Sequence, residues 1–531
     1  MHGDRPSAPV NALPVQATEM IANFLKEKRV REFEREFPNF FNLGIVCFLA
    51  IMSSDCLPYV LSSVHTVPSD SACHAVSPLL QGGRLLLLCG SHKAPFVSLL
   101  RVNLAVRGDT EETSFMELGI SAQVSCTAII REGDGLLLAA GSNDKNAYLF
   151  TDEGQKLAVL EGHGGGVISI QPCPITVPSP GGGSGSQSVL TGGWDGACKL
   201  WTRSGSGGWS CRALADDLEN GVSVLYHPKG CVITASTGRQ QGDKIVDQQV
   251  RVHDVQGMLQ GGQQSAPLLS SHTPHSGPIR GLCLPPSPCS DSPLITCSND
   301  GSVKVVEVFQ GLGTMATMSY PTHLTGGQSS FLLSVVTAPS IDSTGAPHPT
   351  VYYIASSDDA GNVIVRSTDA NASPDAQCQI LPHPGTAWEV KCVSETADLV
   401  TACQDGKVRV YTRDISRAAD PETVQEHQAS LDRAKIKPAA PSASDVASYP
   451  PWSSAASNPG TSQGQVKVFN DNGKGVAAHW DDIAKAWQYI GEVTGQASQE
   501  EREYLVYCVA IDNLFVCAFA SLSFNKLMTI D

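Results

Sequence analysis

The sequence predicts an all-β fold: a seven-bladed β-propeller followed by a small β-rich module. Three observations predict it. The segment Gly162 to Trp201 carries every polar part of one propeller blade. Strand triplets then recur, unevenly, up to about residue 413. The 531 residues hold 49 Gly and 33 Pro at 41% hydrophobic and only 17% charged content, which suits many short strands turned around a large core.

The Gly162–Trp201 segment opens on Gly162-His163, alternates through Val167, Ile168 and Ile170, and closes on Val189 to Trp201. A Gly-His start and a strand-final Trp bracket one four-stranded blade of the WD type, a unit repeating roughly every 40–45 residues. His163, Thr191, Asp195 and Trp201 are spaced to form one buried hydrogen-bonded chain, with Asp195 in the tight turn between two inner strands. Such a chain pairs polar groups that would otherwise be costly to bury. The same residue types occur in a Ser/Thr-His-Asp catalytic set. A triad is recognised by geometry, however, and this spacing is the one blade packing requires. The four are read as a structural tetrad.

Taken in order, residues 1–54 read as an N-terminal extension. Ile21 to Phe37 has the pattern of a charged amphipathic helix ended by Pro38. The apolar run Phe40–Met52 is shorter than the roughly 20 residues that span a bilayer, and its position does not fit a signal peptide.

The propeller is expected over 55–415. Leu85–Gly90 and Phe96–Val102 read as two inner strands of blade 1. Val124–Ile130, Leu136–Ser142 and Ala147–Phe150, turning at Asn143-Asp144, make blade 2, and Gly162–Trp201 makes blade 3. Blade 4 comprises Val222–Tyr226, Cys231–Ser236 and Val250–Val255, with the polar insert Gly238–Gln249. Blade 5 runs from His275 through Ile279–Leu282, Leu294–Asn299, the Asp300-Gly301 turn and Val303–Val308. Phe331–Val336, Val351–Ser356 and Val363–Val365 give blade 6. Trp388–Val393, Leu399–Ala402 and Val408–Tyr411, with the Asp405-Gly406 turn, give blade 7. Leu57–Leu61 is a candidate outer strand for blade 7, which would close the ring and remove an exposed edge. The Gly/Ser/Pro inserts at 174–187 and 285–293 read as loops.

Beyond it, 416–462 reads as a linker, with a short helix from Pro421 to Lys435 and then a Pro/Ala/Ser-rich stretch. Gly460-Thr461-Ser462-Gln463-Gly464 matches the nucleophile elbow of hydrolases, but that motif has meaning only on a strand-turn-helix of an α/β sheet. No phosphate loop and no His-Glu-x-x-His helix occurs. No catalytic residue, cofactor site or metal site is assigned.

A net charge of −16 argues against nucleic-acid binding and against docking on anionic membranes. The 17 cysteines are scattered singly without a Cys-x-x-Cys pair, which disfavours zinc and suits small core side chains in a reducing compartment. In that compartment the sequon at Asn371 is read as chance.

Residues 463–512 hold a hairpin with an Asn472-Gly473 turn, a second strand ending at His479-Trp480, and a third from Trp487 to Ile490. Gly464-Gln465, the Asn472-Gly473 turn, Ala477 to Trp480 and Trp487 to Val493 together resemble the start of a PFU domain. Glu503-Tyr504 and the run to Asp512 look like its next strand. Placed after a seven-bladed propeller and a helical linker, they make the chain similar to the phospholipase A2-activating protein family, also described as ubiquitin-fusion-degradation adaptors. Two departures stand out. The apolar tail 513–531 matches no family motif, and the family's helical PUL domain, which binds a Cdc-type AAA unfoldase, has no counterpart. A truncated gene product is the favoured reading of both.

The resemblance implies a non-enzymatic, monomeric ubiquitin-binding adaptor of the cytoplasm and nucleus. It would act in ubiquitin-dependent degradation and ubiquitin homeostasis, with a AAA unfoldase as a further partner of longer relatives. It also implies two ubiquitin contacts, one on the propeller and one on the PFU segment. The candidate residues are Asn143, Asp144, Trp194, Asn299, Asp300 and Asp405 on the propeller rim, and His479, Trp480, Trp487 and Ile490 on the PFU segment. Core packing is the competing role for the last four. Trp194 is expected to point away from the tetrad as an exposed anchor. Most affinity is expected from the propeller, because the PFU segment is incomplete. The alternative is a generic WD-repeat scaffold with a non-ubiquitin partner.

Overall fold

A computed structural model describes residues 59–67, 72–91, 96–104, 110–117, 123–132, 135–177, 186–203, 207–216, 218, 220–241, 244–261, 265–287, 293–309, 313–319, 330–341, 347–369, 378–434, 443–457, 459–460, 466–481, 485–496 and 507–510. The chain divides after Pro58 into two units. The expectations for residues 1–54, Asn371, Thr461–Gly464 and the tail 513–531 lie outside the described residues.

Alternating apolar strands, each too short to bury a face alone, pair into antiparallel four-stranded sheets. β1 (Val60–Thr66) stands apart from the first blade, which contains β2 (Cys73–Gln81), β3 (Arg84–Ser91), β4 (Phe96–Asn103) and β5 (Thr110–Glu117). Blade 2 is β6 (Val124–Glu132), β7 (Gly135–Ser142), β8 (Ala147–Thr151) and β9 (Lys156–Leu160); blade 3 is β10 (Val167–Val177), β11 (Ser186–Gly193), β12 (Cys198–Arg203) and β13 (Trp209–Ala215). Blade 4 uses β14 (Val222–His227) and β15 (Cys231–Ser236). Its polar insert then folds into a small hairpin, β16 (Arg239–Gln241) and β17 (Lys244–Val246), before β18 (Val250–Asp254), the helix α1 (Val255–Gly261) and β19 (Leu268–His272).

Blade 5 is β20 (Ile279–Cys283), β21 (Leu294–Ser298), β22 (Ser302–Glu307) and β23 (Gly313–Ser319), and blade 6 is β24 (Leu332–Ile341), β25 (Pro347–Asp358), β26 (Asn362–Ser367) and β27 (Cys378–Pro382). Blade 7 has three strands of its own, β28 (Ala387–Val393), β29 (Asp398–Cys403) and β30 (Lys407–Thr412). β1 supplies the fourth, pairing with β30 from Val60 opposite Thr412 to Thr66 opposite Lys407. The ring therefore closes with strands from both ends of the propeller.

The innermost strands β2, β6, β10, β14, β20, β24 and β28 each touch their counterparts in both neighbouring blades. In blade 1 the sequence reading found two strands and missed the innermost one. Leu85–Gly90 and Phe96–Val102 belong to the second and third strands, and the innermost strand is β2. Its His74, Ser77 and Pro78 break the apolar pattern: His74 sits at a bulge against Trp388, and Ser77 is a buried hydroxyl bonded to blade 2. Between blades the core is continuous. Leu86, Leu88 and Val97 of blade 1 pack with Val124, Leu138 and Phe150 of blade 2. Leu190 and Leu200 of blade 3 meet Val222, Val224 and Val232 of blade 4.

A polar seam runs inside that core. Ser77 Oγ donates to Thr127 O at 2.8 Å, joining blades 1 and 2, and Ser125 Oγ donates to Val167 O, joining 2 and 3. Ser169 Oγ accepts from the Val224 amide at 3.1 Å, and Ser223 Oγ donates to Arg280 O at 3.2 Å. Thr337 Oγ1 donates to Leu284 O at 2.7 Å, and Ser334 Oγ donates to Val390 O at 3.3 Å. The last joint, between blades 7 and 1, uses a carboxylate: Glu389 Oε2 accepts from the Val76 amide at 2.7 Å.

After β30 the chain turns back over the closure. Arg417 makes two hydrogen bonds, 2.6 and 2.7 Å, to the fully buried carboxylate of Asp398. Ser62 Oγ donates to Arg417 O at 2.7 Å, and the Ala419 amide donates to Leu61 O at 2.8 Å. The expected helix follows as α2 (Pro421–Ala434), capped by Asp420, which accepts from the Thr423 amide at 2.9 Å. The remainder of the expected linker is not all linker. α3 (Ala443–Ser448) and a 3-10 turn at Trp452–Ser457 touch the C-terminal sheet, and Pro451 bridges to Asn470.

That sheet is four-stranded: β31 (Val466–Asp471), β32 (Lys474–Asp481), β33 (Ala486–Gln496) and β34 (Tyr507–Ala510), paired in chain order. Asn472 and Gly473, at φ 52° and 87°, form the hairpin turn. Left-handed backbone at both central positions is what a two-residue hairpin needs and what Asn-Gly supplies.

Candidate functional site

Blade 3 holds the complete polar chain. Trp201 Nε1 donates to Thr191 Oγ1 at 2.8 Å, Thr191 lies 2.7 Å from His163 Nε2, and His163 Nδ1 lies 2.9 Å from Asp195 Oδ1. The ionised Asp195 can only accept, so His163 Nδ1 carries the proton and Nε2 of the neutral ring accepts from the Thr191 hydroxyl, which in turn accepts from Trp201. Burial lowers the His163 pKa despite the nearby carboxylate. Burial pulls Asp195 upward, but the bonds from His163 and the Gly164 amide outweigh it and hold the carboxyl below its usual range. A neutral imidazole donating to a carboxylate is the consistent state.

Other blades keep parts of it. In blade 5 His275 Nδ1 lies 2.9 Å from Asp300 Oδ2, and Nε2 lies 2.8 Å from Thr296 Oγ1. The register position of Trp201 is taken there by Val306, opposite Leu294. In blade 7 His383 Nε2 meets Thr401 Oγ1 at 2.8 Å, with Tyr411 in the Trp201 position. In blade 4 His253 takes that position and reaches Thr234 Oγ1 at 3.2 Å.

These bonds move several residues from the surface to the scaffold. Asp300 was read as a surface contact; its carboxylate is engaged by His275, Ser302 and the Ser276 amide. Asp405 likewise grips Arg409, which is buried, through both oxygens at 3.1 and 2.5 Å, and Arg409 Nε in turn lies 3.3 Å from His427 Nδ1 of α2. Asp144 accepts from Tyr148 Oη at 2.5 Å and from the Asn146 amide at 3.1 Å. Trp480 and Trp487, at 4% and 8% exposure, form the core of the C-terminal sheet with Phe469, Val476 and Ala478. Their burial against Phe469, Val476 and Ala478 makes these two Trp core rather than contact residues. His479 and Ile490 sit on β32 and β33, His479 paired with Gln488; their side chains lie outside the described residues.

Trp194 is half-buried rather than an exposed anchor. Its ring lies so close over Gly221 that a Cβ there would come within 2.5 Å of it, with Ile168 alongside at 2.8 Å. Asn143 is exposed and donates from Nδ2 to Gln123 Oε1 at 3.1 Å, and Asn299 Oδ1 accepts from Arg280 Nε at 3.1 Å.

The structure adds a set of residues that the sequence reading missed. Six of the seven innermost strands carry a register shift around their second residue: His74, Ser125, Ile168, Arg280, Leu333 and Trp388. A bulge turns its extra residue out of the ladder and re-aims the side chain. All six adjoin one rim of the ring, the rim holding the turns at Asn143, Trp194, Asn299 and Gln404, whose amides bond to the residues just before or at the start of the same strands. His74 and Trp388 stack at 4.0 Å across the closure, and Trp388 Nε1 donates to Gln404 Oε1 at 2.6 Å. Gln123 lies 2.9 Å from His74 Nδ1, extending that contact to Asn143. Bulges have no single-sequence signature here, because the residue types at the six positions have nothing in common. The result is a mouth lined by aromatic, aliphatic, hydroxyl and amide side chains together with Arg280, the mixture found where proteins grip one another. Among the described residues no group of His, Cys, Asp and Glu is placed to hold a metal, and no helix is long and apolar enough to cross a membrane.

A closed ring of seven four-stranded blades, with one complete His-Thr-Asp-Trp chain in blade 3 and parts of it in others, defines a WD-type β-propeller. The WD domain, G-beta repeat family matches residues 154–202 and 267–307, the stretches holding the chains centred on His163 and His275. The sequence is 30% identical over 112 residues to the phospholipase A-2-activating protein of Xenopus laevis, a match covering 21% of this chain and 14% of that relative. The WD40 β-propeller domain of Doa1 aligns with 68% of this chain and 99% of its own, at 19% identity and a TM-score of 0.48. The WD repeats and the match to phospholipase A-2-activating protein bear out the family resemblance read from the sequence.

Proposed function

We propose that this chain is a non-enzymatic ubiquitin-binding adaptor of the cytoplasm and nucleus, acting in ubiquitin-dependent protein degradation and ubiquitin homeostasis. The observation that carries the reading is the similarity to phospholipase A-2-activating protein. The character of the rim supports it. Ubiquitin offers a small apolar patch bordered by basic residues, and the mouth offers Ile168, Trp194, Leu333 and Trp388 within a chain of net charge −16. In longer relatives a helical domain would couple such an adaptor to a AAA unfoldase.

Titration of 15N-labelled ubiquitin with residues 59–434 and, separately, 443–531 tests the proposal. These boundaries keep α2 with the propeller and α3 with the C-terminal sheet. Saturable shift changes from the propeller fragment, tighter than those from the C-terminal fragment, are expected. Silence from both would leave a generic WD-repeat scaffold.

A further inference from the structure

Blade 4 breaks the symmetry of the mouth twice, and at the same place. Its innermost strand β14 is the one of the seven without a register shift, running from Val222 opposite Ser236 to His227 opposite Cys231. Among the described residues, its rim connection is also the one that leaves the short-turn pattern. In blades 2, 3, 5 and 7 an aspartate closes that turn by accepting an amide two residues on, at Asn146, Ala197, Ser302 and Lys407. Blade 4 has Gly238 at the corresponding point, at φ 71°, and the chain departs there into the β16–β17 hairpin.

The arm is built onto the rim at its root. Asn220 Nδ2 donates to Gly238 O, Ser236 Oγ donates to Asp247 O at 2.7 Å, and Arg239 Nε pairs with Asp247 Oδ2 at 2.9 Å. The buried side chain of Gln248 crosses to blade 5, donating to His275 O at 2.8 Å. On the blade 3 side the Thr237 amide bonds to Gly221 O, and it is over Gly221 that the Trp194 ring lies. Trp194, Ile168 and the half-buried Ile245 and Val246 thus belong to one quarter of the mouth. A carboxylate borders it on the blade 2 side, that of the half-buried Asp144.

We propose that the Gly238–Gln249 arm, with Trp194 at its foot, is the specificity-determining wall of the mouth, taking the apolar patch of ubiquitin while its basic border faces Asp144. The inference rests on the ubiquitin reading above. An aromatic side chain anchored beside a rigid projecting ribbon loses little freedom on binding, which is what concentrates affinity at one point of an interface.

The test uses the full chain and monomeric ubiquitin, measured by calorimetry. Two arm variants are compared: Ile245→Asp, and replacement of Gly238–Gln249 by the Asp-Lys-Asn turn of blade 2. Trp388→Ala, across the mouth, is the third. Each arm variant is expected to weaken binding about tenfold or more, Ile245→Asp with an unchanged melting temperature and the replacement with a lower one because it removes the Gln248 bond to blade 5, and Trp388→Ala about threefold or less. Should the replacement fail to fold, Ile245→Asp decides. Ubiquitin binding unchanged in a folded arm variant overturns the arm's role and leaves the adaptor reading standing. An intact chain that binds no ubiquitin overturns both.

Discussion

Glu389 in blade 7 accepts the Val76 amide of blade 1 at 2.7 Å, closing with a carboxylate the seam that serine and threonine hydroxyls make at the other six joints. It is held by Lys391 at 2.8 Å. The closure is the joint where the covalent chain does not run from one blade to the next, so a stronger, charge-assisted acceptor stands where connectivity gives least. Glu389→Ala leaves a buried amide without its acceptor and should cost roughly 1–3 kcal/mol, with Glu389→Gln recovering most of it. Urea midpoints of the three proteins check this. A midpoint for Glu389→Ala equal to the wild type would show that the seam does not matter at the closure.

Arg417 and Asp398 make a second lock on the same joint. Removing one partner of a buried pair leaves an uncompensated charge, so Arg417→Ala should destabilise by roughly 3–5 kcal/mol. Ending the chain at residue 413 should destabilise at least as much, since it also removes the bonds to Ser62 and Leu61. Thermal melts of both decide whether the 414–434 segment belongs to the propeller or merely follows it.

The polar chains of blades 3 and 5 should be worth similar amounts. Asp195→Ala and Asp300→Ala each strand a buried His–Thr pair, at a cost of roughly 1–3 kcal/mol. Trp194→Ala should cost less, since its ring is only half-buried against Gly221 and Ile168. If melts rank Trp194→Ala as the most damaging of the three, the tetrad is not the pin of its blade.

The stability of the propeller should fall on acidification. Burial, and then the charge of Arg409, bring the pKa of His383 down to about 3 from an ordinary 6.5. Between those values the unfolded chain binds a proton that the folded chain refuses, so stability drops as pH falls through that window. His163, also lowered by burial, adds in the same direction. Asp358 opposes them: burial raises it from 3.8 to about 6, so its contribution is lost as pH rises through that interval. His383→Phe should flatten the acid limb of a plot of melting temperature against pH. Asp358→Asn should raise the melting temperature near neutrality more than at about pH 4. A His383→Phe protein as acid-sensitive as the wild type would contradict the assignment.

In the C-terminal sheet, Trp480→Ala should unfold the module alone. Truncating a buried Trp costs roughly 3–5 kcal/mol, more than a four-stranded sheet with so few large core residues can lose. The expected readout is loss of the amide resonances of residues 466–510 while those of the propeller persist. Persistence of both sets would return Trp480 to the surface.

The sequence by itself determined the blade count, the closing strand and the polar chain of blade 3. Period-two alternation and a Gly-His to Trp bracket are local patterns, dictated by which faces of a strand meet a core. It also marked the Asn472-Gly473 hairpin, whose backbone requirement lies within two residues. Tertiary structure decided the rest. Whether Asp300 and Asp405 faced solvent or a partner depended on His275 and Arg409, placed by other strands. Whether Trp480 and Trp487 were contact or core depended on α3 and the Trp452 turn folding back over a sheet more than ten residues away. The bulges at His74, Ile168, Arg280 and Trp388 are set by how each innermost strand pairs with its neighbour, one extra residue turned out of the ladder at the mouth. No window of a single sequence contains that pairing, and it is the pairing that lines the mouth.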